Sequence, residues 1–501
     1  MFKQWAVSNV RIYEPIQVPP FISPIPAEAT PETHYSVHTP STNGNGPTPT
    51  SPALSVNLTD LGNARRLIYR HGHLMRYCYP WRKWLVWDGA RWAIDETAAA
   101  ERLAKDTVQA FYDEAMHTSD LEVRQRLLKH AIKSEGAANI SNMLSLARSE
   151  EGTPVLTNTL DRNRWLFNCL NGTLDLKSMT LRSPDQADLI TQLSPVPFDP
   201  SAECPLWLTF LDRVMNGNTS LMSFLKRAIG YALTGETSEQ VLFFLYGIGR
   251  NGKSTFVETI RAVLGDYAQQ MPSDSLMMKH SSSGNSNDIA RLRGARFAVS
   301  METEEGRRMA ESMVKQLTGG DRISARFLHA EFFEFDPTHK LFLCTNHKPI
   351  IRGTDNAIWR RIRLIPFSVI IPLEDVDPEL KSKLLREAPG ILRWAVEGCI
   401  EWQKNGLGCP IEVEEATDEY RKEMDVLGDF LNECFEIVPM MTLSASEIYK
   451  TYKDWCEDGG EFCLSQTKFG KSMNERGFEK KRREGGLFYV GLVRKVNNTE
   501  Y

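Results

Sequence analysis

The chain has 501 residues, 42% of them apolar and 25% charged, which is room for roughly three domains and a sizeable core in at least one. No run approaches the roughly 18 consecutive apolar residues of a membrane span, and the start, MFKQWAVSNVRIYEP, lacks the apolar stretch of a signal peptide, so a cytoplasmic protein without a membrane partner is expected. The net charge of −5 neither suggests nor excludes nucleic acid, because phosphate binding depends on local clustering, and nine scattered cysteines without a C-x-x-C pair predict reduced thiols and no structural metal.

Residues 1–57 are crowded with Pro, Ser and Thr, as in STNGNGPTPTSP, and this composition predicts a disordered leader. Residues 58–195 read as an α+β domain. LTDLGNARRLIYRHG has the pattern of a capped amphipathic helix, KWLVWDGARW that of a strand-turn-strand with Asp88-Gly89 at the turn, and RWLFNCLNGTLDL that of a hairpin turning at Asn171-Gly172. A helical stretch, roughly 97–148, lies between the two hairpins, and nothing in this domain resembles a catalytic constellation.

Residues 196–400 read as helices followed by a nucleotide-binding α/β core. Helical spacing over 204–234 leads into an apolar strand, VLFFLY, and then into Gly247–Ser254, GIGRNGKS, which fits G-x-x-x-x-G-K-[ST] and opens a helix. In such a loop Gly247, Gly249 and Gly252 let the backbone wrap phosphates, with Asn251 and Thr255 in the same binding segment. Lys253 reaches the β- and γ-phosphates, and Ser254 ligates Mg²⁺. The cofactors expected are ATP and Mg²⁺. Further on, RFAVSME is an apolar strand ending in Glu302 and, two residues later, Glu304. One acid is needed there for Mg²⁺ and one to activate water, and Glu302 is the first choice for the metal. A third strand, KLFLCT, ends in Asn346, which can hydrogen-bond a γ-phosphate or the attacking water without adding charge, or can simply turn the chain. Arg360, Arg361 and Arg363 follow; one of them could reach a neighbouring subunit's nucleotide, or the cluster could form surface ion pairs.

Residues 401–430 read as a helical linker and 431–501 as a separate module. There Ser444 and Glu447 fit a capping box opening a helix that closes at Gly459-Gly460, and a second helix runs from about Ser465 to Gly477. The basic strand KKRR, a turn at Gly485-Gly486 and the strand LFYVGL complete the order of a winged helix. From Ser465 onward nine basic residues face four acidic ones. Lys468, Lys471 and Arg476 would lie along a groove and Lys480, Lys481, Arg482 and Arg483 along phosphates, unless the module docks protein instead.

These pieces, ordered within the 115 residues from Gly247 to Arg361, resemble the superfamily III helicases, specifically the phage/plasmid primase-helicase branch. The stretch from ETEEGRRMAESMVKQLTGG to AIWRRIRLIPF, the upstream YALTGETSEQ and the later PGILRWAVEGCIEW all share in the likeness. The 58–195 segment is similar to the accessory domain shared with poxvirus helicase-primases, and the C-terminal module to the winged helix of the same proteins.

The resemblance implies an AAA+-like α/β core assembled as a ring, usually a hexamer, acting in phage or plasmid replication in a bacterial cytoplasm or nucleoid. Nucleotide would sit between subunits, single-stranded or forked DNA would pass through the channel, and translocation would run 3′ to 5′. It gives Glu302 and Glu304 the acidic strand end, Asn346 the sensor and Arg360 or Arg361 the finger. Arg322, Arg326 and His329 would contact the DNA backbone from a channel hairpin spanning 322–335. The family's Lys-His pair at the hairpin tip is replaced by His329-Ala-Glu331. The residues before the accessory domain are too few for a primase, so no primer synthesis is expected and a separate primase or polymerase is the expected partner. The expectation is an ATP-dependent DNA helicase. The alternative is a DNA-binding regulatory or scaffold ATPase that does not unwind; a small-molecule P-loop kinase would have no use for the arginine cluster or the C-terminal module.

Overall fold

The computed structural model describes residues 57–278, 285–301, 304–327, 331–353 and 356–495. Expectations for residues 1–56, Glu302 and His329 lie outside the described residues. No helix among the described residues is long and apolar enough to cross a membrane.

The first described element is α1 (Asp60–His71), whose first turn is closed by the Thr59 hydroxyl accepting from the Gly62 amide. An antiparallel sheet follows in the order β1 (Met75–Cys78), β2 (Lys83–Trp87), β3 (Trp92–Ile94). Asp88 closes its second turn by accepting from the amides of Ala90 and Arg91 at 2.9 and 2.8 Å. Helices α2 (Ala99–His117), α3 (Leu121–Ser134) and α4 (Ala137–Ala147) occupy the expected helical stretch, and α1, α2 and α4 share a core of Ala64, Leu67, Ala104, Val108 and Met143.

A second antiparallel sheet, β4 (Leu166–Cys169), β5 (Gly172–Asp175) and β6 (Thr180–Arg182), packs into the core of the following segment rather than apart from it. Phe167 stacks on Tyr267 at 4.5 Å.

Helices α5 (Pro205–Val214) and α6 (Thr219–Leu233) lead into the central sheet. The sheet's members are β7 (Leu242–Tyr246), β8 (Ala268–Met271), β9 (Phe297–Met301), β12 (Lys340–Thr345) and β13 (Ile362–Pro366). They lie side by side in the order β13-β7-β12-β9-β8, all parallel. Helix α7 (Lys253–Leu264) follows β7. Helix α8 (Asn285–Ala290) precedes β9, and α9 (Glu311–Thr318) and a short hairpin, β10 (Ile323–Ala325) with β11 (Phe333–Phe335), separate β9 from β12. Helix α10 (Asn356–Trp359) precedes β13, and α11 (Leu380–Arg386) and α12 (Ala388–Asn405) follow it.

Both faces of the inner strands β7, β12 and β9 are buried, which is why these read as continuous apolar runs. Phe243, Leu245, Phe342 and Ile365 pack with α5, α6, α7 and α12, whereas Leu242, Phe244, Leu343 and Leu364 pack with α9, α10 and Tyr420.

Two cations lock the N-terminal edge of this sheet to its surroundings. Arg296, just before β9, donates to the Leu166 carbonyl at 2.5 Å and to that of Leu233, while Lys340, opening β12, donates to the carbonyls of Thr234 and Thr338. Both are buried, and burial pushes both pKa values down. The carbonyls at the end of α6 carry the negative end of its dipole, which offsets part of the desolvation cost.

The C-terminal region begins with α13 (Ile411–Glu423), whose Tyr420 is buried against Phe244. Helix α14 (Val426–Cys434) leads into β14 (Phe435–Ser444), then α15 (Ala445–Gly459), α16 (Gln466–Glu475), β15 (Lys480–Arg483) and β16 (Gly486–Arg494), with the sheet ordered β14-β16-β15. Strand β14 was not expected. The Ser444 side chain does not cap α15 as the capping box predicted; its hydroxyl pairs with that of Ser446 at 2.7 Å. The Gly460 end is as expected, left-handed at φ +67°.

Candidate nucleotide and nucleic-acid sites

The phosphate-loop signature leaves β7 at Tyr246 and enters α7 at Lys253. At Gly247 and Gly252 the loop's neighbours leave no room for a side chain. A Cβ on Gly247 would strike the Phe367 carbonyl and the Asn251 amide, and one on Gly252, at φ +84°, would meet Val214 Cγ1 at 2.5 Å. Asn251 Nδ2 donates to the Phe367 carbonyl at 3.1 Å, fastening the loop to the exit of β13.

Lys253 is 4% exposed, and its ammonium donates to Gly247 O at 2.6 Å, Asn251 Oδ1 at 2.9 Å and Asn346 Oδ1 at 2.9 Å. Burial lowers its pKa. Ser254 is exposed and Thr255 half-buried in the first turn of α7, while Gly249, at φ +26°, has open space around it. A loop that no side chain fills, a buried ammonium, and an exposed hydroxyl at a helix start together fit a phosphate chain and its cation.

Asn346 meets Lys253 because β12 is the direct neighbour of β7, with Thr345 opposite Tyr246, so the two strands end level. Strand β9 ends one position lower, with Met301 opposite Cys344, immediately before Glu302. Glu304 is exposed, and its nearest described charge is Arg307 at 3.9 Å. It lines a cleft of about 900 Å³ with Arg261, Arg291 and Arg307, and no described bond joins it to Lys253 or Asn346.

The arginine cluster separates into unlike members. Arg361 is 8% exposed, donating to Thr318 Oγ1 at 3.2 Å and to the Ala357 carbonyl at 2.5 Å. Arg360 is exposed, with one bond to Gln240 Oε1 at 3.3 Å. Arg363 donates to the carbonyls of Arg360 and Ile362. Of the two finger candidates, only Arg360 presents its guanidinium outward.

The β10–β11 hairpin falls within the expected 322–335 stretch, and the aromatic character of its tip was missed although it is visible as FLHAEFFEF. Arg322 is engaged with Asp336 at 3.2 Å and Glu334 at 4.0 Å. The Arg326 guanidinium lies 4.8 Å from the centre of the Phe332 ring, and Phe327 stacks on Phe333 at 5.6 Å.

In the C-terminal module all four side chains of β15, Lys480, Lys481, Arg482 and Arg483, are exposed. Lys468 and Lys471 line a cleft of about 560 Å³ shared with Arg308 and Arg352, and Arg352 sits 3.7 Å from the centre of the Phe462 ring. Arg476 does not join the groove residues, because its guanidinium is bonded to Asp425.

Three segments match known families. Residues 64–216 match "D5 N terminal like", 245–361 match a family of unknown function, and 422–500 match "Poxvirus D5 protein-like". Over 325 residues the chain is 28% identical to a "Putative helicase" of Acanthamoeba polyphaga mimivirus, covering 60% of this chain and 34% of the relative. It is 29% identical over 267 residues to a "Putative helicase" of Frog virus 3 (50% and 27% covered). It is 24% identical over 329 residues to a "Putative primase" of African swine fever virus (59% and 34% covered). The chain therefore spans about a third of the length of these relatives. The apo structure of the NrS-1 C-terminal region aligns with a TM-score of 0.44 at 10% identity, over 84% of this chain and 95% of that one. In sequence the chain is similar, at its N-terminal and C-terminal segments, to D5-like proteins, and over longer stretches to viral proteins named as helicases and primases.

Proposed function

We propose that the chain is an ATP-dependent DNA helicase of the superfamily III type, an AAA+-like ring ATPase that moves 3′ to 5′ on single-stranded DNA during replication. The observation that supports this reading most is the bond from the buried Lys253 to Asn346, which joins the phosphate loop to the exposed end of the neighbouring strand.

In this reading the arriving β- and γ-phosphates take over the ammonium of Lys253 from the oxygens of Gly247, Asn251 and Asn346. Asn346 is thereby released to hold the γ-phosphate or the attacking water. Ser254 and Glu302 would hold Mg²⁺, which when bound neutralises charge on the phosphate oxygens. Glu304 is the second acid, less favoured because of its arginine-lined surroundings. Arg360 from a neighbouring copy completes the site, and Arg361 keeps a structural role. The C-terminal helices and the β15–β16 hairpin form a winged helix whose basic strand, β15, contacts the DNA backbone.

The test is strand separation on duplexes carrying a 3′ or a 5′ tail, with ATP, for the native chain and Lys253→Ala. Unwinding from the 3′ tail that Lys253→Ala abolishes supports the proposal. DNA-stimulated hydrolysis without separation on either substrate would favour the alternative, a regulatory ring ATPase.

A further inference from the structure

The β10–β11 hairpin is anchored in the core by Ile323 and Ala325, and the aromatic side chains it exposes are unusual for a surface. Phe332 is 62% exposed and Phe327 39%, whereas Phe335, at the base, is buried in the core. Between them Phe333 is stacked on Phe327 at 5.6 Å with ring planes 26° apart and lies 6.0 Å from Phe335. The aromatic column thus starts in the core and emerges at the hairpin's outer end. On the other strand position Arg326 lies over Phe332, 4.8 Å from its centre, holding the ring by a cation–π contact while leaving most of it open.

The described charges on the same hairpin, Arg322 and Arg326 against Glu331, Glu334 and Asp336, do not favour a simple phosphate grip. Glu331, Glu334 and Asp336 all lie on its second strand side, and the Arg322 guanidinium is engaged by the last two. A phosphate approaching this surface meets little net positive charge, whereas the face of a base meets exposed rings and a guanidinium plane. Both are stacking surfaces that accept any base.

We propose that this hairpin holds single-stranded nucleic acid by stacking unpaired bases on Phe332 and Phe327, with Arg326 fixing the ring, and not by gripping the phosphate backbone. The inference rests on the reading of the chain as a single-stranded DNA motor and specifies how one element of it meets that substrate.

The experiment is binding of the full chain to a fluorescent thymidine oligonucleotide and to an abasic oligomer of the same length, which keeps the phosphates and removes the bases. The native chain is expected to prefer the base-bearing strand by about tenfold, the size of one base–aromatic stack. Phe332→Ala combined with Phe327→Ala removes that preference, Phe332→Trp retains it, and Arg322→Ala leaves it in place. Unchanged melting of the variants, expected for exposed positions, shows that folding is not the cause. Equal binding of the two oligomers by the native chain overturns the proposal while leaving DNA binding intact, as does a preference that survives the double variant. Loss of self-association in the double variant with the preference intact assigns the rings to a contact between copies instead. Failure to bind either oligomer overturns the single-stranded DNA reading itself.

Discussion

Lys253 and Asn346 are 93 positions apart in the chain and joined by a 2.9 Å bond from the ammonium to the side-chain carbonyl. The bond gives each residue a separate phenotype. Asn346→Ala leaves Lys253 two oxygen partners, so nucleotide still binds, and the loss falls on turnover. We predict a fall in kcat of at least about tenfold with KM changed much less, whereas Lys253→Ala loses phosphate binding as well. Steady-state hydrolysis of the two variants distinguishes these outcomes.

Arg360 and Arg361 should behave as opposites. Arg361 is buried and its guanidinium satisfies Thr318 and the Ala357 carbonyl, so Arg361→Ala removes packing and leaves those partners bare. A destabilisation of about 2–3 kcal/mol, seen as a lower Tm, is expected. Arg360→Ala should leave Tm unchanged and reduce hydrolysis by a hundredfold or more, a loss on the order of those seen for arginine fingers. A lowered Tm for Arg360→Ala with normal hydrolysis would reverse the assignment.

How much of this was legible in sequence depends on whether the relevant signal is local. The phosphate loop, the Asp88 turn and helices α1, α15 and α16 are specified by residues within a few positions of one another, whereas the hairpin expected to turn at Asn171-Gly172 turns one residue earlier, at Leu170-Asn171, with Gly172 already paired to Cys169. Strand β14 was not legible because half of its side chains are exposed, its pairing slips between Ile437 and Thr442, and Pro439 interrupts its apolar residues, so no regular alternation marks it. Strand β8, AQQM, is a polar sheet edge for the same reason. The order β13-β7-β12-β9-β8, which brings Asn346 to Lys253, rests on pairings between distant segments that periodicity does not encode. The burial of Arg361 was equally hidden, because its partners come from α9 and α10. The dense packing of β4 against Tyr267 blurs the boundary expected at residue 195.

His339 gives the fold a dependence on acid. It is 2% exposed, and burial next to the Lys340 cation lowers its pKa from 6.5 to about 4, outweighing a contact with the Leu317 backbone. The folded state keeps the ring neutral, and the unfolded chain takes up a proton below 6.5. The stabilisation is therefore complete above pH 6.5 and is lost as pH falls towards 4, by up to about 3 kcal/mol. Thermal unfolding between pH 7.5 and 5 should show a drop in Tm that His339→Met diminishes; an equal drop in both proteins would remove His339 as its source.

The exposed cations of β15 should act through phosphate alone. Replacing Lys480, Lys481, Arg482 and Arg483 by Ala is predicted to weaken single-stranded DNA binding and to lower the slope of log affinity against log salt by about 3, as for the loss of four phosphate contacts. Arg476→Ala, by breaking the bond to Asp425, should instead lower thermal stability and leave the salt slope unchanged. Titrations at several salt concentrations read both.

The most direct test of the central claim is ATP hydrolysis with and without single-stranded DNA by the native chain, by Lys253→Ala and Arg360→Ala separately, and by the two variants mixed. A nucleotide site shared between copies predicts stimulation by DNA in the native protein, loss in each variant and partial recovery on mixing. Hydrolysis indifferent to DNA, or no recovery in the mixture, would contradict it.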